Sequence, residues 1–379
     1  MELSEKAVQR IKENLGEIPD PRRQWGYIRH KLIDLLVIGL CSIITRGKGF
    51  DEMEEMGRDR EEWFRQFLEL PHGIPDEDTF RRLFERLNPG ELMKCLQSWL
   101  GGMREAGGRQ VAIDGKTIRG SGKEGEHKAV HIVSAWVNEN NLVLGQLATE
   151  EKSNEITAIP ELLDLIDVSG DTITIDAMGC QKEIVKKIRA KGADYVLAVK
   201  ENQPVLYGEI REYFAYLDER QTKELPEDVW ESGVEKGHGR IEQRRVRTVT
   251  DIGFLSGKKD WKDLATVIEV RGRRTAGDET SVTERYFISN KDIPAEEFGK
   301  DIRGHWGIEN GLHWMLDVNF GEDGCRARKD NSPKNLNILR KAAISLLRAV
   351  DGGKRVSVKR KMLRASLVPD FLLKALFGK

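Results

Sequence analysis

A chain of 379 residues with 39% hydrophobic content can build real cores in two or three domains, which excludes a disordered polypeptide. The four cysteines (41, 95, 180, 325) are too far apart for a zinc knuckle, the charged start MELSEKAVQR lacks an apolar signal core, and the best apolar run carries Asp34. A soluble cytoplasmic protein with reduced thiols and no membrane partner is expected. The net charge of −1 is split: residues 326–379 hold 15 Lys and Arg against three Asp, a formal +12, so the first 325 residues sum to −13.

Residues 1–105 read as an all-helical domain. LIDLLVIGLCSII, EEWFRQFLEL and DTFRRLFERL repeat apolar positions at helical spacing, Gly73 and Pro75 break the last two, and Asp78 is the expected N-cap. After the Gly-rich linker GGMREAGGRQ the pattern turns to strands: QVAIDGKTI, then KAVHIVSAWV and NLVLGQLATE joined by a turn at NENN. The helix EITAIPELLDLI precedes a fourth strand, DTITIDA. The helix KEIVKKIRAKG, closed by Gly192, precedes a fifth, DYVLAVK. Three strands, then helix, strand, helix, strand, predict a mixed five-stranded sheet with two crossovers across residues 106–205. Residues 206–294 interrupt it with a helix through LYGEIREYFAYL and three further strands, RIEQRRVRTV, LATVIEVRGRR and TERYFIS, forming a β-rich insertion. Residues 295–350 return to helix, and 351–379 form a basic C-terminal tail containing KRKMLR.

Two strands end alike. Asp114 follows VAI, and Asp176 follows TITI, although Asp is depleted in strands and costly to bury unpaired. If the first strand is central and the fourth lies beside it, the two carboxylates come within metal-bridging distance. Hard oxygen ligands on adjacent strands suit Mg²⁺, which keeps several waters for substrate phosphates. A third ligand is available at Glu309, where His305, Glu309 and His313 recur every four residues on one helix face and Trp306, Ile308, Leu312 and Met315 supply apolar packing. Glu322 and Asp323 are rivals, but they follow Gly321 in a loop, a less rigid platform. The two histidines could instead hold Zn²⁺ with Glu309, although HExxH is absent.

The stretches AIDGKTIRGS (112–121), TIDAMGCQ (174–181), VKENQ (199–203), HGRIEQR (238–244) and RGHWGIENGLHWMLDVNFGED (303–323) together resemble bacterial DDE insertion-sequence transposases with an RNase H-like fold, in particular the H-repeat-associated group. DPRR (20–23) and HGIPDEDTFRR (72–82) resemble the helical domain that precedes the catalytic core in that group. The resemblance implies a triad of Asp114, Asp176 and Glu309 holding two Mg²⁺ ions, with Mn²⁺ able to substitute. It implies double-stranded DNA as partner, both element ends and target, a homodimer in the DNA complex, and nucleoid association when bound. The wider superfamily carries Tyr, Arg and Lys around the catalytic Glu, and those places here hold Ile302, His305 and Leu316. His305 and Arg303 are the candidates to take over the phosphate contacts.

Further DNA-contact candidates are Lys200 at a strand end, Arg240 and Arg244 alternating along RIEQRR, and Lys359, Arg360 and Lys361 in the basic end. Each has an ordinary reading as a solvated surface charge. Trp230 could stack on an unpaired base or simply pack in a core. GSGKEG matches GxGxxG but precedes a strand instead of opening a helix, and GKT at 115–117 lacks the first Gly of a phosphate loop, so neither marks a nucleotide site. The expected function is Mg²⁺-dependent strand cleavage at element ends followed by strand transfer. The alternatives are a nuclease that does not join, and a non-catalytic DNA-binding regulator.

Overall fold

The computed structural model describes residues 9, 13, 15–22, 28–101, 108–149, 155–220, 227–237, 239–353 and 356–377. The start of the chain, Arg23 of DPRR, most of the Gly-rich linker and His238 fall outside them. Among the described residues no helix is long and apolar enough to cross a membrane.

The N-terminal region is helical as expected: α1 (Leu32–Ile44), α2 (Phe50–Asp59), α3 (Glu61–Phe64), α4 (Glu77–Arg86) and α5 (Pro89–Gly101). The cap of α4 is Asp76, not Asp78; its side chain accepts the amide of Thr79 (2.7 Å), while Asp78 lies inside the first turn beside Arg81 and Arg82.

Next come β1 (Gln110–Thr117), β2 (His131–Val137), β3 (Leu142–Thr149), α6 (Glu155–Leu165), β4 (Thr172–Ile175), α7 (Lys182–Ala190) and β5 (Asp194–Val199). They form a mixed sheet in the order β3-β2-β1-β4-β5, antiparallel through β1 and parallel from β1 to β5. This is the RNase H-like core, with β1 central. After α8 (Pro204–Arg220) the insertion contributes β6 (Glu227–Glu231), β7 (Glu235–Gly237), β8 (Arg240–Val249), β9 (Thr266–Ala276) and β10 (Glu279–Ser289). These strands do not stand apart from the core. β10 pairs antiparallel with β5, and β9, β8 and β6 follow, so one sheet of ten strands runs through both regions. The edge of β5 is thereby covered rather than exposed.

α9 (Ala295–Ile308) runs across one face of this sheet, continues through a π-helical turn at Glu309–His313, and ends in α10 (Trp314–Val318). Behind them α11 (Ser332–Ala349) is buried almost all round, between α1, α5 and the β3 side of the sheet.

Residues 356–377 of the expected tail are not one. They fold into α12 (Val358–Leu367) and α13 (Pro369–Phe377), and Phe371, Leu372, Leu373 and Leu376 join the same apolar core as α1 and α11. Phe377 meets Phe67 edge-on at 5.6 Å, and Arg60 donates to the carbonyl of Ser366. The lysines and arginines drew attention to this segment's charge, while FLLKALF supplies the apolar face that docks it. Phe371→Ala is therefore expected to cost about 3–5 kcal/mol by denaturant titration; a solvated tail would lose less than about 0.5 kcal/mol.

Candidate active site

The site forms where β4 separates from β1. Their parallel register ends at Ile113↔Ile175, so the next residues, Asp114 and Asp176, both leave the paired strands at this opening, and Asp176 is near enough to act on the Asp114 carboxyl. β1 itself continues to Thr117 against β2, and its burial drops from complete to partial at Asp114. A carboxylate at this point is therefore fixed by a buried strand yet faces an open edge. Asp176 caps the short turn 177–179 by accepting the amide of Met178 (3.0 Å). The VKENQ stretch holds that turn from behind: Asn202 donates to the carbonyl of Ala177 (2.7 Å) and Gln203 to that of Cys180 (2.9 Å).

The helix reaches the sheet because its underside is nearly bare. A Cβ at Gly304 would strike the Gln110 side chain, and one at Gly307 would strike Asn138. Gln110 donates to the carbonyl of Asp301, while Asn138 donates to Gln110 (2.8 Å) and to the carbonyl of Gly304 (2.6 Å). These amides stitch α9 to the start of β1. One turn on, His305 lies over β4 with Nδ1 3.0 Å from the Thr174 hydroxyl. Glu309 and His313 then converge on Asp114: one ligand atom from each of the three lies within 4.8 Å of the others, and His313 Nδ1 is 3.6 Å from Asp114 Oδ2. The π-helical turn spans the interval from Glu309 to His313, a distortion frequent at functional sites.

Burial raises the Asp114 carboxyl to about 7; the Gly115 amide that donates to it (2.9 Å) opposes the shift, and the nearby Glu309, Asp176 and Glu155 reinforce it. His313 is pushed the other way, to about 3, by burial and by Lys341 and Lys116, so it is neutral with a lone pair to offer. Burial likewise lowers His305, against the opposing pull of Asp176. Below the site, the buried pair His131 and Glu155 (2.6 Å) presses against Gly115, where a Cβ would collide with both. His131 also meets the Thr117 hydroxyl (2.9 Å).

The rival carboxylates are committed elsewhere. Glu322 is fully buried and accepts from Asn337 (2.8 Å) near Arg340, while Asp323 faces Lys116 (3.5 Å) and Arg119 (3.6 Å). Lys116 also binds Asp317 (2.7 Å), which ties β1 to α10.

Lys200 is exposed just past the end of β5. Arg240 pairs with Glu242 (2.9 Å), Arg244 with Glu242 (2.8 Å) and Glu235 (3.3 Å), and Arg303 with Glu235 (2.6 Å). Lys359 and Arg360 are exposed on α12. Two expectations change. Lys361 is buried and donates to the carbonyl of Val350 (2.6 Å), closing the end of α11, because its position falls on the inward face of α12. Burial disfavours the charged form of His305, whose Nδ1 meets the Thr174 hydroxyl, so a phosphate contact there would rest on a ring N–H more than on charge. Trp230 packs with Val246 and α9 in a core. Trp306, expected to pack, is instead 54% exposed beside Glu309, as is Trp314 at 53%. The Glu155–His131 pair was invisible in the sequence, since nothing in its spacing says that the start of α6 lies under β1.

Residues 105–346 match the family described as Transposase DDE domain, and residues 12–100 the one described as DDE_Tnp_1-associated. The chain belongs to the DDE transposase family. Within it the chain falls in the H-repeat-associated group: it is 39% identical over 378 residues to "Putative transposase YncI" of Escherichia coli O157:H7, covering 95% of this chain and 93% of that one. It is 37% identical over 381 residues to "H repeat-associated putative transposase YhhI" of E. coli K12, covering 98% of each. The cryo-EM structure of the piggyBac transposase synaptic complex with hairpin DNA is similar at a TM-score of 0.41 and 13% identity, over 99% of this chain and 80% of that one. The family implies a divalent metal, and the donor set fits one: the carboxylates of Asp114 and Glu309 with the neutral imidazole of His313, gathered with no cation paired to Asp114 among the described residues, while Asp176 stands exposed at the end of β4 and outside that cluster.

The raised Asp114 fixes the sign of a stability effect. With its folded pKa above the unfolded value near 3.9, its contribution to metal-free stability is full below about pH 4 and is lost as pH rises through about 7. In chelator, Asp114→Asn should therefore melt several degrees above wild type at about pH 8.5, with the gap shrinking at about pH 5.5. Equal melting curves at both pH values would mean that the carboxylate is not strained.

Proposed function

We propose that the chain is a DNA transposase that cleaves strands at the ends of its element and joins the freed 3′ ends to target DNA. The observation that supports this reading is the convergence of Asp114, Glu309 and His313 at the opening between β1 and β4, with Asp176 at the end of β4 near enough to reinforce the raised Asp114 carboxyl. Asp114, Asp176 and Glu309 would hold Mg²⁺, or Mn²⁺ in its place, and His313 stands as a further donor. When bound, such ions lower the pKa of attacking water or hydroxyl and stabilise the leaving oxygen in an in-line displacement.

The chain's own residues do the rest. The buried strand β1 fixes Asp114, the capped turn orients Asp176, and the glycine-lined underside of α9 sets how closely Glu309 approaches. Lys200, Arg240, Arg244, Arg303, Lys359 and Arg360 are the proposed backbone contacts to double-stranded DNA, and a homodimer is the proposed state in the DNA complex. Cytoplasmic location with nucleoid association follows from the same reading.

The test is incubation of labelled DNA carrying the sequence that flanks the coding region with Mg²⁺ or Mn²⁺, resolved at nucleotide resolution. Wild type should nick at defined ends and then yield joined products. Asp114→Asn, Asp176→Asn and Glu309→Gln should each lose at least about a hundredfold in rate while still binding DNA, more than loss of an outer-shell partner costs a metal site. Nicks without joining would favour the nuclease; binding without cleavage in all four proteins would favour the regulator.

A further inference from the structure

One face of the ten-stranded sheet carries more than the carboxylates. α9 identifies it: Gln110 and Thr174 bond to the helix, and Val196, Phe287, Ile268, Val270 and Val246 pack against Phe298 and Ile302. Side chains two positions along a strand share a face. Asp114 and Asp176 continue this face beyond Ala112 and Thr174, and Lys200 continues it beyond Ala198. Arg285 precedes Phe287 on β10, and Arg244 precedes Val246 on β8. The β5–β10 register, extended one step past Tyr286↔Val199, sets Arg285 opposite Lys200.

Arg285 differs from its neighbours. Arg240, Arg244 and Arg303 each have a carboxylate, whereas Arg285, half-buried, has no hydrogen-bond or ion-pair partner among the described residues. The adjacent carboxylate, Glu284, points to the other face and binds Arg271 (3.1 Å). The charge that acts on it is Arg244, a like charge diagonal to it across β9, where Val270 lies opposite Arg285 and Gly272 opposite Arg244. A guanidinium half-removed from water beside another cation is costly unless an anion completes it.

We propose that Arg285 and Lys200 form a phosphodiester clamp on the sheet face, Lys200 one strand and Arg285 two strands over from Asp176 and each two residues further along, roughly 8–12 Å away. It would grip the DNA backbone within a few nucleotides of the bond to be cut. This rests on DNA as the substrate of the site. The planar fork of Arg285 suits two non-bridging phosphate oxygens, and Lys200 adds a point charge. The clamp supplies from the sheet the cationic contacts missing at His305 and Leu316 on the helix.

The experiment measures binding of the flanking-sequence duplex across a salt series, in chelator, for wild type, Arg285→Gln and Arg285→Lys. Arg285→Gln should bind about tenfold more weakly at moderate salt, with the slope of log K against log salt reduced by about 1, and Arg285→Lys should restore the slope. A scan of single methylphosphonate substitutions should find one position that weakens wild type and leaves Arg285→Gln unaffected. Because the substitution removes an unpaired charge, Arg285→Gln should melt no lower than wild type; a purely structural arginine would show a lower melting temperature. An unchanged slope with unchanged methylphosphonate sensitivity would overturn the clamp. Metal-dependent cleavage of the same duplex by wild type is read separately: its absence would sink the transposase reading while leaving the slope result to judge Arg285.

Discussion

Burial of the Asp114 carboxylate at the open end of β1 and β4, reinforced by Glu309 and Asp176, is the constraint around which the site is built. Asp114 cannot move away, because it sits on the central strand with three buried residues before it. Glu309 is brought toward it by a helix whose glycines accept the Gln110 and Asn138 side chains against the backbone. A fold that only maximised stability would place an apolar residue at each position. Three acids, a raised Asp114 and a neutral His313 instead describe a site that is strained until a cation arrives.

The architecture around the site resists that strain. Lys116, two residues past Asp114, is bound to Asp317 on α10, and Glu322 is held by Asn337 and faces Arg340 on α11. The end of β1, the helix after Glu309 and the long buried helix are thus tied together through ionic contacts with little exposure to solvent, where screening is weak. α12 and α13 close the far side of the same core. The insertion extends the sheet by five strands, so one continuous sheet face runs from the carboxylates to Arg244 on β8 and Arg285 on β10.

Much of this was legible in the sequence, and for physical reasons. Period-two and helical patterns marked all five core strands, and the crossovers made a central first strand with the fourth beside it one arrangement that would bring Asp114 and Asp176 to the same opening. Glu309 was reachable because helical spacing and motif agreed. What the sequence hid depends on tertiary burial. Lys361 and Lys359 look alike in KRKMLR, yet two residues of rotation on α12 separate a carbonyl-bonded lysine from an exposed one. Arg285 is one of many arginines in the insertion; only the register with β5 and the lack of a partner distinguish it. That the insertion continues the core sheet is a pairing between distant segments, which local periodicity does not encode.

The most direct measurement of the central claim is calorimetric titration of the wild-type protein with Mn²⁺ near neutral pH, in buffers of different ionisation enthalpy. Asp114 should be close to half protonated before metal arrives, so binding should release a measurable fraction of a proton per ion, and that release should vanish in Asp114→Asn along with tight binding. Failure of Mn²⁺ to bind at millimolar concentration, or binding that releases no proton and survives the substitution, would contradict the account.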